Sequence, residues 1–159
     1  MRTLALSVVA AGLAAIVSLA HVPDAMAVKG KCETPKTAYR TTSDKAETDT
    51  IEWTDLPKSK IVFRQGGKKP GCVIVRVSAM PDAGYIIAIR AVIDGTIIAE
   101  PGGVQLDYQS ANYLSPRGFE FIFPEIAPGK HALKIEWSNY AEEFAEAYLY
   151  KRSIVLHHR

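Results

Sequence analysis

The sequence predicts an all-β fold, an antiparallel β-sandwich of seven to nine strands, immunoglobulin-like or jelly-roll-like. Three observations carry that expectation. Short runs rich in Val, Ile, Phe and Tyr are separated by clusters of Gly, Pro, Asn and Asp, the punctuation of strands and turns. Within several runs apolar and polar residues alternate, the period of a strand with one buried face. No regular succession of long helical patterns and strands appears, as parallel βα units would require.

The chain opens on MRTLALSVVAAGLAAIVSLAHVPDAMA, with one basic residue at Arg2, an apolar stretch from Leu4 to Ala20 and an Ala25-Met26-Ala27 ending. These are the parts of a secretory signal peptide, residues 1–27, and Pro23 with the small-x-small ending favours cleavage over a retained anchor. Lys29-Gly30-Lys31 before Cys32 lacks the apolar residues of a lipid-attachment site. Removal leaves Val28 to Arg159, the size of one ordinary domain. The signal takes one acidic and one basic residue with it, Asp24 and Arg2, so the net charge stays at +2. That is too slight to argue for nucleic acid or, after signal cleavage, for a membrane as partner. The protein is expected to be periplasmic or secreted. Its two cysteines, Cys32 and Cys72, then read as one disulfide bond, which in the chain-entropy model stabilises by about 4 kcal/mol for a loop of about 40 residues. No C-x-x-C spacing points to a metal or redox pair.

Residues 28–49 are rich in Lys, Thr, Asp and Glu and read as a polar N-terminal arm, extended or locally structured, with the spacing of a capping box at Asp44 to Glu47. Residues 50–159 are the sandwich domain. Thr50 to Thr54 and Lys60 to Arg64 read as strands flanking Leu56-Pro57, and Gln65 to Gly71 as a hairpin turn with exposed lysines. Cys72 to Ala79 places Val73, Val75, Val77 and Ala79 on one face and Ile74, Arg76 and Ser78 on the other. Tyr85 to Ile93 and Thr96 to Glu100 flank Asp94-Gly95, a type I′ hairpin signal that pairs Ile93 with Thr96. Val104 to Tyr108 is a further strand before the Ser115 to Gly118 turn. Phe119, Phe121 and Phe123 point together toward the core. After Pro128-Gly129 the next strand puts His131, Leu133, Ile135 and Trp137 on one face. Ser138 to Glu146 reads as a loop with one helical turn. In Ala147 to His157 the apolar parity slips near Lys151-Arg152, which signals a bulge or an edge.

Candidates for chemistry are few. His131 is the only interior histidine of the processed chain, and its place at the mouth of a strand reads as a structural ring covering the core edge. His157 and His158 are adjacent on a strand and point to opposite faces, so they do not make one metal site. Glu142, Glu143 and Glu146 read as a solvated loop face and not as a glycosidase pair. No nucleophile elbow, phosphate loop or dinucleotide fingerprint is present. No cofactor is expected. Of the aromatic residues Trp53, Tyr85, Tyr108, Tyr113, Trp137, Tyr140, Tyr148 and Tyr150, three tyrosines lie in or near turns, and Tyr108, Tyr113 and Tyr140 are the ligand-binding candidates.

The stretch F-E-F-I-F-P-E-I-A-P-G-K-H-A-L-K-I-E-W, Phe119 to Trp137, followed by Arg152-Ser153-Ile154-Val155-Leu156, resembles the C-terminal half of small exported bacterial β-sandwich proteins of uncharacterised function. The resemblance implies the fold and no activity. The resulting expectation is a non-enzymatic binding or interaction module of the cell envelope or extracellular space, with a carbohydrate or another envelope protein as partner. A structural, self-assembling envelope protein is the alternative. A metal-binding protein or enzyme centred on His131, with Glu125 or Glu136 beside it, is the third.

Overall fold

Val73, Val75, Val77 and Ala79 alternate with outward Ile74, Arg76 and Ser78, and the first four are buried as the period requires. A computed structural model of the chain describes residues 32–83, 86–106, 116–139 and 147–159. The expected signal, residues 1–27, lies outside them. The described residues contain eleven strands and no helix: β1 (Lys36–Thr42), β2 (Ala46–Thr48), β3 (Thr54–Asp55), β4 (Ile61–Gln65), β5 (Gly71–Ala83), β6 (Ile87–Ile93), β7 (Ile97–Ile98), β8 (Val104–Leu106), β9 (Arg117–Ile126), β10 (Gly129–Asn139) and β11 (Ala147–His158).

They form two antiparallel sheets packed as a β-sandwich. One has the order β1-β11-β5-β9, with β2 also on β11; the other has the order β3-β10-β6-β7, with β4 also on β10 and β8 also on β6. The count of eleven replaces the expected seven to nine, and the reason is physical. Three edge strands are each broken in two: β1 and β2 lie end to end along β11, β3 and β4 along β10, and β7 and β8 along β6. Edge strands broken in this way offer a foreign strand only short unpaired runs.

Between the sheets sit Phe121, Phe123, Leu133, Ile135, Trp137, Ile87, Ile89, Leu149 and Leu156, all essentially inaccessible. Each such side chain contributes roughly 1.5–3 kcal/mol by leaving water. The faces assigned to β5, β9 and β10 from parity are the faces found, with Phe119 half-buried at the margin.

Four readings are corrected. The polar arm is not separate from the sandwich: β1 and β2 both pair with β11, so the domain begins before residue 50, and Asp44 to Glu47 makes no helical turn. Local composition hid this because an edge strand needs few apolar residues when its backbone is paired. The Gln65 to Gly71 stretch is not a hairpin, since β4 pairs with β10 and β5 with β11 and β9, and the loop crosses from one sheet to the other. It instead receives the C-terminus. Gly66 donates to the Arg159 carbonyl at 2.7 Å, and Gln65 accepts from the Arg159 N–H at 3.1 Å. At the Asp94-Gly95 turn both residues have positive φ (54° and 76°), and the Thr96 N–H reaches the Ile93 carbonyl at 3.3 Å. The ladder beyond it runs one residue later, with Ile93 opposite Ile97. The strand expected over Thr50 to Thr54 is reduced to Thr54–Asp55.

The break between β3 and β4 is repaired by one hydroxyl. Leu56 to Lys60 loops away from β10 opposite Ile135, where Pro57 has no N–H to give. Ser59, buried, accepts from the Ile135 N–H at 3.1 Å and donates to the Ile135 carbonyl at 3.2 Å, and that carbonyl also receives the Leu56 N–H at 2.8 Å. Ser59→Ala leaves the buried Ile135 N–H without its acceptor and is expected to lower unfolding free energy by about 1–3 kcal/mol. Chemical denaturation checks it, and an unchanged midpoint would show that the ladder does not depend on this hydroxyl.

Candidate functional site

The strands of the five-stranded sheet bring small residues into one transverse line. Thr41 of β1 lies opposite Ser153 of β11, Ser153 opposite Ser78 of β5, and Ser78 opposite Gly118 of β9. Their neighbours along the strands, Val77, Ala79 and Ile154, are buried, so the line faces outward. Four strands at their usual separation make it about 15 Å long, and same-face rows stand about 7 Å apart along the strands.

Taller side chains flank it. On one side runs the row Tyr39, Val155, Arg76 and Glu120, also in register. Arg76 Nε meets Glu120 Oε2 at 2.7 Å, and Tyr39 is 75% exposed. On the other side Tyr150 stands opposite Met80, and the Tyr148 and Tyr150 rings lie 6.5 Å apart with Lys45 Nζ 4.0 Å from the Tyr148 ring centre. The Lys45 ammonium is held above its ordinary pKa, chiefly by its hydrogen bond with Glu47. A depression of about 380 Å³ opens over Ser78, Gly118 and Ser153, walled by Arg76, Glu120 and Val155. A second, of about 560 Å³, shares Ser153 and continues over Thr41, Thr42, Ser43, Lys151 and Arg152. The two adjoin at Ser153.

A bulge in β11 shapes their far end. Between Tyr150 and Ser153 the register with β5 shifts by one residue, and Lys151 takes φ 44°. The parity slip in the sequence is therefore a bulge within a paired strand. The extra residue lets both Tyr150 and Ser153 face outward while Arg152 turns in, 3% exposed.

Chemically the groove offers hydroxyls that donate and accept, tyrosine faces at its sides and one exposed ion pair. Among the described residues no three His, Cys, Asp or Glu side chains converge as a metal site would need.

The residues singled out from sequence fall elsewhere. Tyr108, Tyr113 and Tyr140, and the glutamates at 142, 143 and 146, lie outside the described residues. Cys32 and Cys72 are joined in a disulfide with Cα atoms 5.5 Å apart. His157 Nδ1 lies 3.1 Å from the Thr37 hydroxyl on the outer face, whereas His158 is buried against Phe63. His131 stands at the rim of the core, 5.6 Å from the Phe63 ring centre. Its Nδ1 meets Asp94 Oδ2 at 2.7 Å and its Nε2 the Ala127 carbonyl at 2.9 Å. The carboxylate beside it is thus Asp94, not Glu125 or Glu136; Glu136 is taken by Arg90 at 2.7 Å. Both ring nitrogens point at protein oxygens that fix the ring. Asp94 also accepts the Ala132 N–H at 2.9 Å, so this cluster ties the β6–β7 turn to β10.

Sequence reasoning missed Tyr39, Thr41, Gly118 and Ser153. Each strand's outward parity was available, but their meeting depends on pairing between strands distant in sequence. The chain matches no protein-family model and no curated protein.

The Ala132 N–H, then His131, hold the Asp94 carboxyl below its usual range. A carboxylate whose pKa falls on folding stabilises above its unfolded value, near 3.9, and that contribution disappears as pH drops through the folded value. Asp94→Asn keeps the turn geometry and removes the charge. The stability gap between wild type and variant is expected to be present at pH 7 and to close as pH falls below the ordinary carboxylate value, near 3.9. Thermal melts across pH 2–8 measure it; a gap independent of pH would remove Asp94 from the acid response.

Proposed function

We propose that the protein is an exported, non-enzymatic binding module that holds an extended carbohydrate of the cell envelope or its surroundings. The observation that carries this reading is the in-register line Thr41, Ser153, Ser78 and Gly118, an open hydroxyl-lined floor between rows of larger side chains. Sugars present hydroxyls around their edges and C–H groups on their faces. A floor of Ser and Thr matches the first, and exposed tyrosine rings such as Tyr39 match the second. Ligand sites combine concavity with a few placed polar groups, and this groove has both. Export is supported by the residues of the expected signal and by the Cys32–Cys72 disulfide, which persists in oxidising compartments.

The groove can be filled without disturbing the core. A Cβ built on Gly118 meets only the Val77 carbonyl oxygen, at 3.9 Å, and the position has no backbone that excludes a side chain, so substitution there begins without a clash. The purified protein is expected to be retained on at least one polysaccharide in a panel of envelope and extracellular glycans, peptidoglycan included. Gly118→Trp and Ser153→Trp should each weaken that retention at least about tenfold, roughly 1.4 kcal/mol, with little change in melting temperature. Silence across the panel, or binding indifferent to both substitutions, would overturn the reading.

A further inference from the structure

His131 is held by two acceptors that belong to two different elements. Its Nδ1 lies 2.7 Å from Asp94 Oδ2 on the β6–β7 turn, and its Nε2 lies 2.9 Å from the Ala127 carbonyl oxygen, just past the end of β9. Neither oxygen can donate near neutral pH: a carbonyl never does, and the Asp94 carboxyl is held below its usual range. A neutral imidazole carries one N–H and makes one of these bonds, whereas the imidazolium carries two and makes both. The carboxylate is the stronger acceptor, so in the neutral ring the hydrogen sits on Nδ1 and a bare Nε2 faces the Ala127 oxygen, lone pair against lone pair. Among the described residues few other charges bear on the ring. From β4 it meets the uncharged Phe63 ring, on which His158 also packs with centres 5.2 Å apart. Glu125 at the end of β9 is exposed, and on β10 itself Lys130 and Lys134 take the opposite strand face, Lys134 being held by Asp55.

The two elements joined by the ring also wall a depression of about 420 Å³, lined by Ile97 and Ile98 of β7, by Glu100, and by Phe123, Glu125 and Ile126 of β9. At one end its walls are pinned by the paired backbone bonds of Glu100 and Ile122, at 2.8 and 2.7 Å, which do not titrate. At the other end Asp94 stands three residues before Ile97, and Ala127 directly follows Ile126. We propose that His131 is a proton-operated latch on this depression, which holds the end of β9 to the β6–β7 turn in acid and releases it as pH rises. The structure, with both ring nitrogens at bonding distance, is the closed form. The sign follows from the hydrogens: the Ala127 bond is present below the range in which imidazole titrates, about pH 6.5 for an unperturbed ring, and is lost above it. Pinned at Glu100 and Ile122, the walls then part from the Ala127 end, which opens Ile126 and Phe123, buried in the closed form, beside the already exposed Ile97 and Ile98. The released form offers an apolar molecule a wider seat than the closed one.

Resonances of the ring nitrogens and of the Ala127 carbonyl carbon, followed in the purified protein from about pH 5 to 8.5, read the latch directly. Both ring nitrogens are expected to carry hydrogen in acid; at the alkaline end Nδ1 keeps its hydrogen, Nε2 loses it, and the Ala127 carbonyl moves with the same midpoint. The depression is read with Nile red, a neutral apolar dye, whose emission should rise at least about twofold over the same range. His131→Gln, which cannot titrate, should make the dye response independent of pH. Ile98→Gln, an exposed change, should remove most of the dye response and leave the ring titration as it was. Should the His131 variant fail to fold, the wild-type resonances and Ile98→Gln still decide the matter. An Nε2 that carries hydrogen at both extremes, an Ala127 carbonyl that does not follow the ring, or a dye response that survives in His131→Gln overturns the latch.

Discussion

β11 is the strand on which the five-stranded sheet is assembled. It carries β1 and β2 along one edge and β5 along the other, so the last strand of the chain lies inside the sheet and not at its margin. Until it docks, β1 and β2 have no strand partner, and the free edge of β5 shows a row of unpaired backbone groups. Joining elements this far apart in sequence carries a closure entropy that grows with the logarithm of separation. The disulfide works on that difficulty. Cys32 precedes β1 and Cys72 lies in β5, the two strands between which β11 inserts, so the covalent bond holds the borders of the slot near one another. The Arg159 contacts with Gln65 and Gly66 then fasten the end of β11 to the other sheet's β4.

The bulge in the same strand joins architecture to surface chemistry. With strict alternation from Ser153 backwards, Tyr150 would turn inward, and the inward pattern of Leu149 and Ala147 would be lost. One inserted residue restores the pattern on both sides of the bulge. The same insertion sets Lys151 outward and Arg152 inward at one point. It also falls opposite the interruption between β1 and β2.

Much of the fold was legible because it rests on local alternation. Val73 to Ala79, Phe119 to Phe123 and Leu133 to Trp137 declare their inward faces with no knowledge of partners, and the parity slip at Lys151-Arg152 marks the bulge. What was not legible depends on pairing. Lys36–Thr42 is polar apart from Ala38 and Tyr39 and reads as an arm; only its register with β11 makes it a strand. Asp94 was visible as a turn residue, and the turn forms, but its bonds to His131 and Ala132 come from a strand 37 or 38 positions later. The groove is the extreme case. Ser78 was recognised as outward, whereas Gly118 reads locally as part of a turn and Ser153 as part of an irregular stretch. Their common line exists only once four strands have settled in register.

The two outer faces of the sandwich show why that line is informative. On the six-stranded sheet the in-register row Asp55, Glu136 and Arg90 is filled by its own long side chains. Arg90 lies 4.5 Å from the Trp53 ring centre and 2.7 Å from Glu136, and Lys134 holds Asp55, so charges and ring are mutually engaged and that surface is covered from within. Trp53 in turn packs over Gly103. On the five-stranded sheet the row Thr41, Ser153, Ser78 and Gly118 has no long side chain of its own, and the flanking Arg76 and Glu120 pair with each other beside it. A surface that only needed solubility would be served by the first arrangement on both faces. Small residues repeated across four strands leave the second face without a covering of its own long side chains, so its hydroxyls stay open to solvent.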